Sequence, residues 1–236
     1  MTREPLFLDL VDTVTGAAPR FPTRVRAFWD DEALSVEFHC RDTRRWHTLT
    51  ERDAPLWQEE VVELFLAPGL ETPTRYAEFE VNPAGVLFDA LIDNPDGVRA
   101  TMHGDVGWDC PGLEAEVHLA APTSGRDDWT VRLRVPWAGL APIWHRPVPA
   151  PVWRANFLRV ERPAGPHGAG PSSDADEFSA WSPTRRDPAD FHVPRRFGVL
   201  VLDGPVSDGL AGLEDLDVPV FRVPHTSSAL PDSELP

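Results

Sequence analysis

Glu59, Glu60, Glu63, Glu78 and Glu80 crowd two short stretches in which acidic and apolar residues alternate. Two carboxylates flanking a glycosidic bond at ~5–10 Å are the equipment of a glycoside hydrolase. A plainer reading is available. The acids alternate with Val62, Leu64 and Leu66 and with Ala77, Phe79 and Val81, as residues on one solvated face of a sheet would. That solvated face is the expectation, and it leaves a carboxylate free to accept hydrogen bonds from a ligand hydroxyl.

The tryptophans are the sharper signal, nine of them against one tyrosine. Trp129 and Trp137 sit in or beside an alternating stretch and are expected in the core. Trp29, Trp108, Trp144 and Trp153 fall at strand ends and read as core or rim. Trp57, in Ala-Pro-Leu-Trp-Gln-Glu-Glu, precedes a strand. Trp181, in Ser-Ala-Trp-Ser-Pro-Thr, follows a Pro-, Gly-, Ser- and Asp-rich segment, Pro163 to Asp176, that reads as a long mobile loop. A large aromatic ring on a loop is poorly solvated unless something covers it. Two facing indoles would hide both C–H faces of one pyranose ring while its hydroxyls reach polar groups at the edge.

Other chemistries lack their residues. There is no Gly-x-Ser-x-Gly elbow, glycine-rich phosphate loop, His-Glu-x-x-His or Cys-x-x-Cys. The eight histidines have no metal-ligand spacing, and His192, in Phe-His-Val-Pro, reads as a hydrogen-bonded structural residue. The net charge of −16, with 38 acidic residues against 22 basic ones, repels phosphate backbones and anionic bilayers, so neither nucleic acid nor a membrane is an expected partner. Neutral sugars and cations remain compatible. Every basic residue is arginine, whose planar fork suits bidentate contacts. Cys40 and Cys110 could pair but read as two thiols, Cys40 in the apolar register of a strand. Residues 1–10 show no basic segment followed by an apolar run. The expected location is therefore cytoplasmic, or extracytoplasmic if the native N-terminus is truncated.

The elements that must position these residues alternate with period two. Leu34, Val36, Phe38 and Cys40 face one way against Ser35, Glu37, His39 and Arg41, and Trp129, Val131, Leu133 and Val135 do the same. Strands are expected over 24–29, 33–41, 60–66, 76–82, 85–92, 114–120, 129–135, 153–161 and 196–202. Turn sequences such as Asn82-Pro83-Ala84-Gly85 and Asn94-Pro95-Asp96-Gly97 separate them. No stretch holds a helical period, although 136–141 could form one short turn. The fold class is all-β, an antiparallel β-sandwich of jelly-roll type with long loops, over residues 1–203. Residues 204–236 read as an acidic, proline-punctuated tail, poorly ordered, with a short apolar patch from Val218 to Val223 lying on the domain.

Arg52-Asp53-Ala54-Pro55-Leu56-Trp57 running into Glu60-Val61-Val62-Glu63-Leu64-Phe65-Leu66 resembles the family 9 carbohydrate-binding modules and the wider DOMON-like sandwiches. So do Tyr76 to Pro83, Trp129-Thr130-Val131, Val135-Pro136-Trp137, Ala155 to Glu161, Trp181-Ser182-Pro183-Thr184 and Phe191-His192-Val193-Pro194. The resemblance spans residues 5–203. It implies non-catalytic binding of a mono- or oligosaccharide terminus clamped between Trp57 and Trp181, with Glu63 as the strand carboxylate beneath. It makes Arg159 and Asn156 candidate hydroxyl contacts, of which strand alternation allows one, Arg159 preferred. Asn82 is a further candidate or else a turn former. Structural calcium, implied for some members, could use Asp89, Asp93 and Asp96, which otherwise form a surface acidic turn. Two alternatives stand beside sugar binding. One is a haem-binding electron-transfer domain, for which Met102 is the only methionine besides Met1. The other is a glycan-active enzyme using Glu63 with Glu78 or Glu80.

Overall fold

The computed structural model describes residues 7–121, 126–146, 149–163, 176–204 and 213–226. All nine expected strands are present, their ends shifted by at most two residues. A five-stranded sheet runs in the order β1 (Leu8–Asp9), β3 (Thr23–Trp29), β4 (Ala33–Cys40), β10 (Trp129–Pro136), β9 (Glu114–Leu119). The second sheet has nine strands. Its path is β14 (Val220–Val223), β13 (Gly198–Leu202), β11 (Val152–Glu161), β5 (Val61–Pro68), β6 (Arg75–Val81), β7 (Leu87–Asp93), β8 (His103–Asp105). Two short strands complete it: β12 (Glu177–Ala180) pairs with β11, and β2 (Val11–Asp12) pairs with β12. Pairing is antiparallel except between β13 and β14. Among the described residues there is no α-helix, and the turn expected at 136–141 is a 3-10 turn at Trp137–Leu140.

Alternation places the core. Leu34, Val36, Phe38, Val131, Leu133 and Val135 of one sheet meet Val62, Leu64, Leu66, Phe79 and Phe157 of the other in one buried cluster, with Trp129, Trp137 and Trp153. Cys40 and Cys110 lie in the same cluster as free thiols, which is the reading that the sequence favoured. Gly85 and Gly97 close the two Asn-Pro turns at φ of 80° and 68°, a region that glycine enters without a Cβ clash.

Two expectations change. The opposite face of the nine-stranded sheet is not solvated. Leu56, Val61, Phe65, Tyr76, Phe88, Leu158, Val160, Phe191 and Phe197 build a second buried cluster there, under a layer of turns and loops. The acidic segment also rejoins the fold: its apolar patch becomes β14, in register with Val199 to Leu202, and His225 bridges to Trp29. The expected loop at residues 164–175 and the last ten residues of the chain lie outside the described residues.

Candidate functional site

A cavity of about 360 Å³ opens on that outer face, toward the lower end of the roughly 300–1,000 Å³ usual for small-molecule pockets. Its floor is the sheet itself: Glu63 of β5, Glu78 of β6, Phe88 and Ile92 of β7, and Val160 of β11. Trp57, Arg162 and Phe178 line one part of it, and Arg99, Met102, Asp190 and His192 another.

Trp57 is placed by the 3-10 turn Leu56–Gln58, whose Leu56 is fully buried and pins the turn to the sheet. The indole itself is 44% exposed and meets Phe88 edge-on at 5.2 Å. Glu59 holds the turn from behind, accepting the backbone N–H of Thr48 at 2.7 Å. Arg162 lies with its guanidinium 5.7 Å from the Phe178 ring and donates to the Trp57 carbonyl at 3.3 Å, so it joins the two aromatic walls.

Glu63 and Glu80 are direct cross-strand partners, and Glu78 sits two residues along on the same face. One oxygen of each lies within 4.8 Å of the others. Burial, then the neighbouring carboxylates, push Glu63 and Glu80 well above the ordinary carboxylate range, and burial lifts Glu78 to about 7. The five glutamates therefore do not form a solvated face. Alternation did put Glu63, Glu78 and Glu80 on one side, but that side is roofed by segments distant in sequence. Glu60 points to the other side, into the cluster described below.

His192 is structural in the way the sequence suggested, sharing a 2.7 Å hydrogen bond with the Tyr76 hydroxyl and stacking on Phe65 at 4.9 Å. Burial, and then the charge of Arg99, lower it to about 3, so it is neutral.

The remaining candidates are not brought together. Trp181 is 8% exposed and belongs to the cluster between the sheets, its ring 5.5 Å from Phe157. The reason is parity: β12 sets Phe178 opposite Val160 and Ala180 opposite Leu158 on the outer face, so the next residue turns inward. Phe178, three residues earlier, occupies the cavity wall instead; its signal was the short alternation Glu177-Phe178-Ser179-Ala180.

Arg159 also points inward. It is 1% exposed, donates to the Arg41 carbonyl at 2.9 Å and Thr23 Oγ1 at 3.1 Å, and pairs with Asp42 at 3.2 Å and with Glu161. Asn156 faces outward as alternation requires, yet both its amide atoms bond the Ser182 backbone at 2.9 Å. Asn82 is the turn former: Oδ1 accepts from Ala84 and Val86 at 3.0 Å, and Nδ2 donates to the Leu49 carbonyl. Of the six candidates, Trp57 and Glu63 line the cavity.

Nor do the three aspartates form a calcium cage. Asp89 is buried against Arg52 and the Cys110 N–H, Asp93 pairs with Arg75 four residues or roughly 13 Å along the strand, and Asp96 is exposed. Met102 and His192 do line one cavity, but both reach the same Tyr76 hydroxyl, Met102 Sδ at 3.9 Å. They share a wall and do not oppose each other across a slot that a haem could enter.

The fold is a β-sandwich with a small cavity outside its second sheet. No known family profile matches the chain. A relative from Arthroderma benhamiae named "Extracellular protein" is 26% identical over 201 residues, covering 80% of this chain and 82% of its own. A solved structure from Bacteroides uniformis, whose name gives carbohydrate binding as its candidate role, shares the sandwich fold. It matches with a TM-score of 0.62 at 18% identity, covering 84% of this chain and 86% of that one. A family 9 carbohydrate-binding module from Caldicellulosiruptor kristjanssonii, in complex with glucose, aligns over 87% of this chain and 88% of that one, at 16% identity and a TM-score of 0.48.

Proposed function

We propose that this protein binds a small carbohydrate without transforming it, laying the sugar on Trp57 above the buried carboxylate Glu63. The observation that carries the reading is an exposed indole on the wall of a cavity whose floor offers carboxylate oxygens. An indole covers the C–H face of a pyranose, and a carboxylate accepts from its hydroxyls. Phe178 replaces Trp181 as the second aromatic of the site. The candidate role of the Bacteroides uniformis protein and the resemblance to family 9 modules agree with this reading.

Stacking worth ~0.5–1.5 kcal/mol beyond area burial, with a few hydrogen bonds, places affinity in the micromolar to millimolar range, about −4 to −8 kcal/mol. Trp57→Ala is expected to weaken sugar binding at least about tenfold, which is 1.4 kcal/mol. It should leave the melting temperature nearly unchanged, because the ring is already half in solvent. A glycan array followed by calorimetric titration of the best sugar makes the test. Wild-type affinity in the Trp57→Ala variant would remove the basis of the proposal.

A further inference from the structure

Three groups of carboxylates converge among the described residues, and they are not alike. Asp53, Asp89 and Asp109 surround Arg52, which approaches Asp109 at 2.8 Å and Asp53 at 3.8 Å and bonds Asp89 directly. Asp42, Glu60 and Glu161 surround Arg159. Each of these clusters holds a guanidinium. The third, Glu63, Glu78 and Glu80, holds none. The nearest cationic candidates are His192, whose Nε2 stands 3.9 Å from Glu78, and Arg99, whose Nε is committed to Asp190 at 3.0 Å.

Glu80 is fully buried, and among the described residues no basic side chain bonds either of its carboxylate oxygens. An ionised carboxylate in such surroundings is strongly destabilising unless a cation compensates it. Glu63 and Glu78 turn their side chains into the cavity, so the cluster is reachable from outside.

We propose that Glu63, Glu78 and Glu80 form a divalent-cation site at the floor of the cavity, taking an oxygen-preferring ion of the calcium class. Oxygens within 4.8 Å of one another match the span that ligands 2.3–2.6 Å from a common ion would have. Three carboxyls from two adjacent strands supply rigid oxygen donors, which release their protons to solvent as the ion binds. The cavity side leaves coordination positions open, and if the sugar-binding reading holds, a pair of ligand hydroxyls completes the shell. Cation binding itself does not depend on that reading.

The test uses the full chain stripped with EDTA and titrated by calorimetry near neutral pH with calcium alone, then magnesium, then manganese. Wild-type protein should take up one ion with a dissociation constant of roughly 10⁻⁵–10⁻³ M. Glu80→Gln should bind at least about tenfold more weakly, whereas Asp109→Asn, in the Arg52 cluster, should bind as wild type does. Melting curves guard against misfolding: in EDTA near neutral pH the Glu80→Gln variant should melt close to wild type, because a neutral amide replaces a carboxyl that burial keeps protonated, and calcium should raise wild type alone. No heat and no melting shift with any of the three ions would overturn the proposal. So would unaltered binding in Glu80→Gln, or a preference for ethylammonium over the divalent ions. Cation uptake without any sugar binding would support this site and sink the carbohydrate reading, so the two fail separately.

Discussion

Trp181→Ala is expected to destabilise the protein by about 3–5 kcal/mol, the usual cost of deleting a buried aromatic side chain. The indole fills space between the sheets against Phe157, and its backbone N–H donates to the Phe157 carbonyl at 2.9 Å. It fits because residue 198 is glycine: a Cβ there would come within 2.4 Å of the ring. Gly198→Ala should therefore destabilise by the same route, forcing the ring off its position. Denaturant unfolding of both variants measures the loss, and titration of the fraction that stays folded measures ligand affinity. Near-native stability together with abolished binding in Trp181→Ala would mean that the ring contacts ligand and that its place in the interior is wrong.

The second large effect concerns pH. Glu60, fully buried beside Asp42 and Glu161, is pushed up to about 10, by burial first and then by those two charges, while Trp46 N–H and Arg159 act against the shift. Burial lifts Glu161 to about 7 despite the Arg159 guanidinium, and lifts Asp42 as well. A carboxyl whose folded pKa is raised binds more protons folded than unfolded. Its contribution is complete below the unfolded value, near 4.5, and is lost as pH climbs through the folded value. Stability should thus decline from about pH 5 toward pH 10, by up to ~1.4 kcal/mol per pH unit for each such group. Glu37 works the other way. Burial opposes its ionisation, but the His39 imidazole 3.7 Å away and hydrogen bonds from Arg26 and Arg132 outweigh that and hold it at about 2, so its contribution is lost only in acid.

Glu60→Gln isolates the effect. The amide oxygen can still accept from Trp46, as Glu60 does at 3.2 Å, but no charge develops. The variant should match wild type near pH 5 and exceed it by a few kcal/mol near pH 9. A difference between the two proteins that stays constant across this range would show that Glu60 is not the titrating group.

The amino-acid pattern alone was enough for the nine long strands, the Asn-Pro turns, the buried tryptophans 129 and 137, and the shared face of Glu63, Glu78 and Glu80. These follow from a period of two and from local turn chemistry, which act over a few residues. Strands of two to four residues, such as β2, β8, β12 and β14, carry too few alternations to stand out.

Tertiary pairing alone decided the rest. Whether Phe178 or Trp181 reaches the cavity depends on the register of β12 against β11, where a shift of one residue exchanges the two faces. Whether the acidic face meets water depends on the turn at Leu56–Gln58, on β12 and on residues 189–192 closing over it, segments far apart along the chain. Alternation determines which residues share a side; only the packing of distant segments determines whether that side is solvent, core or a binding site.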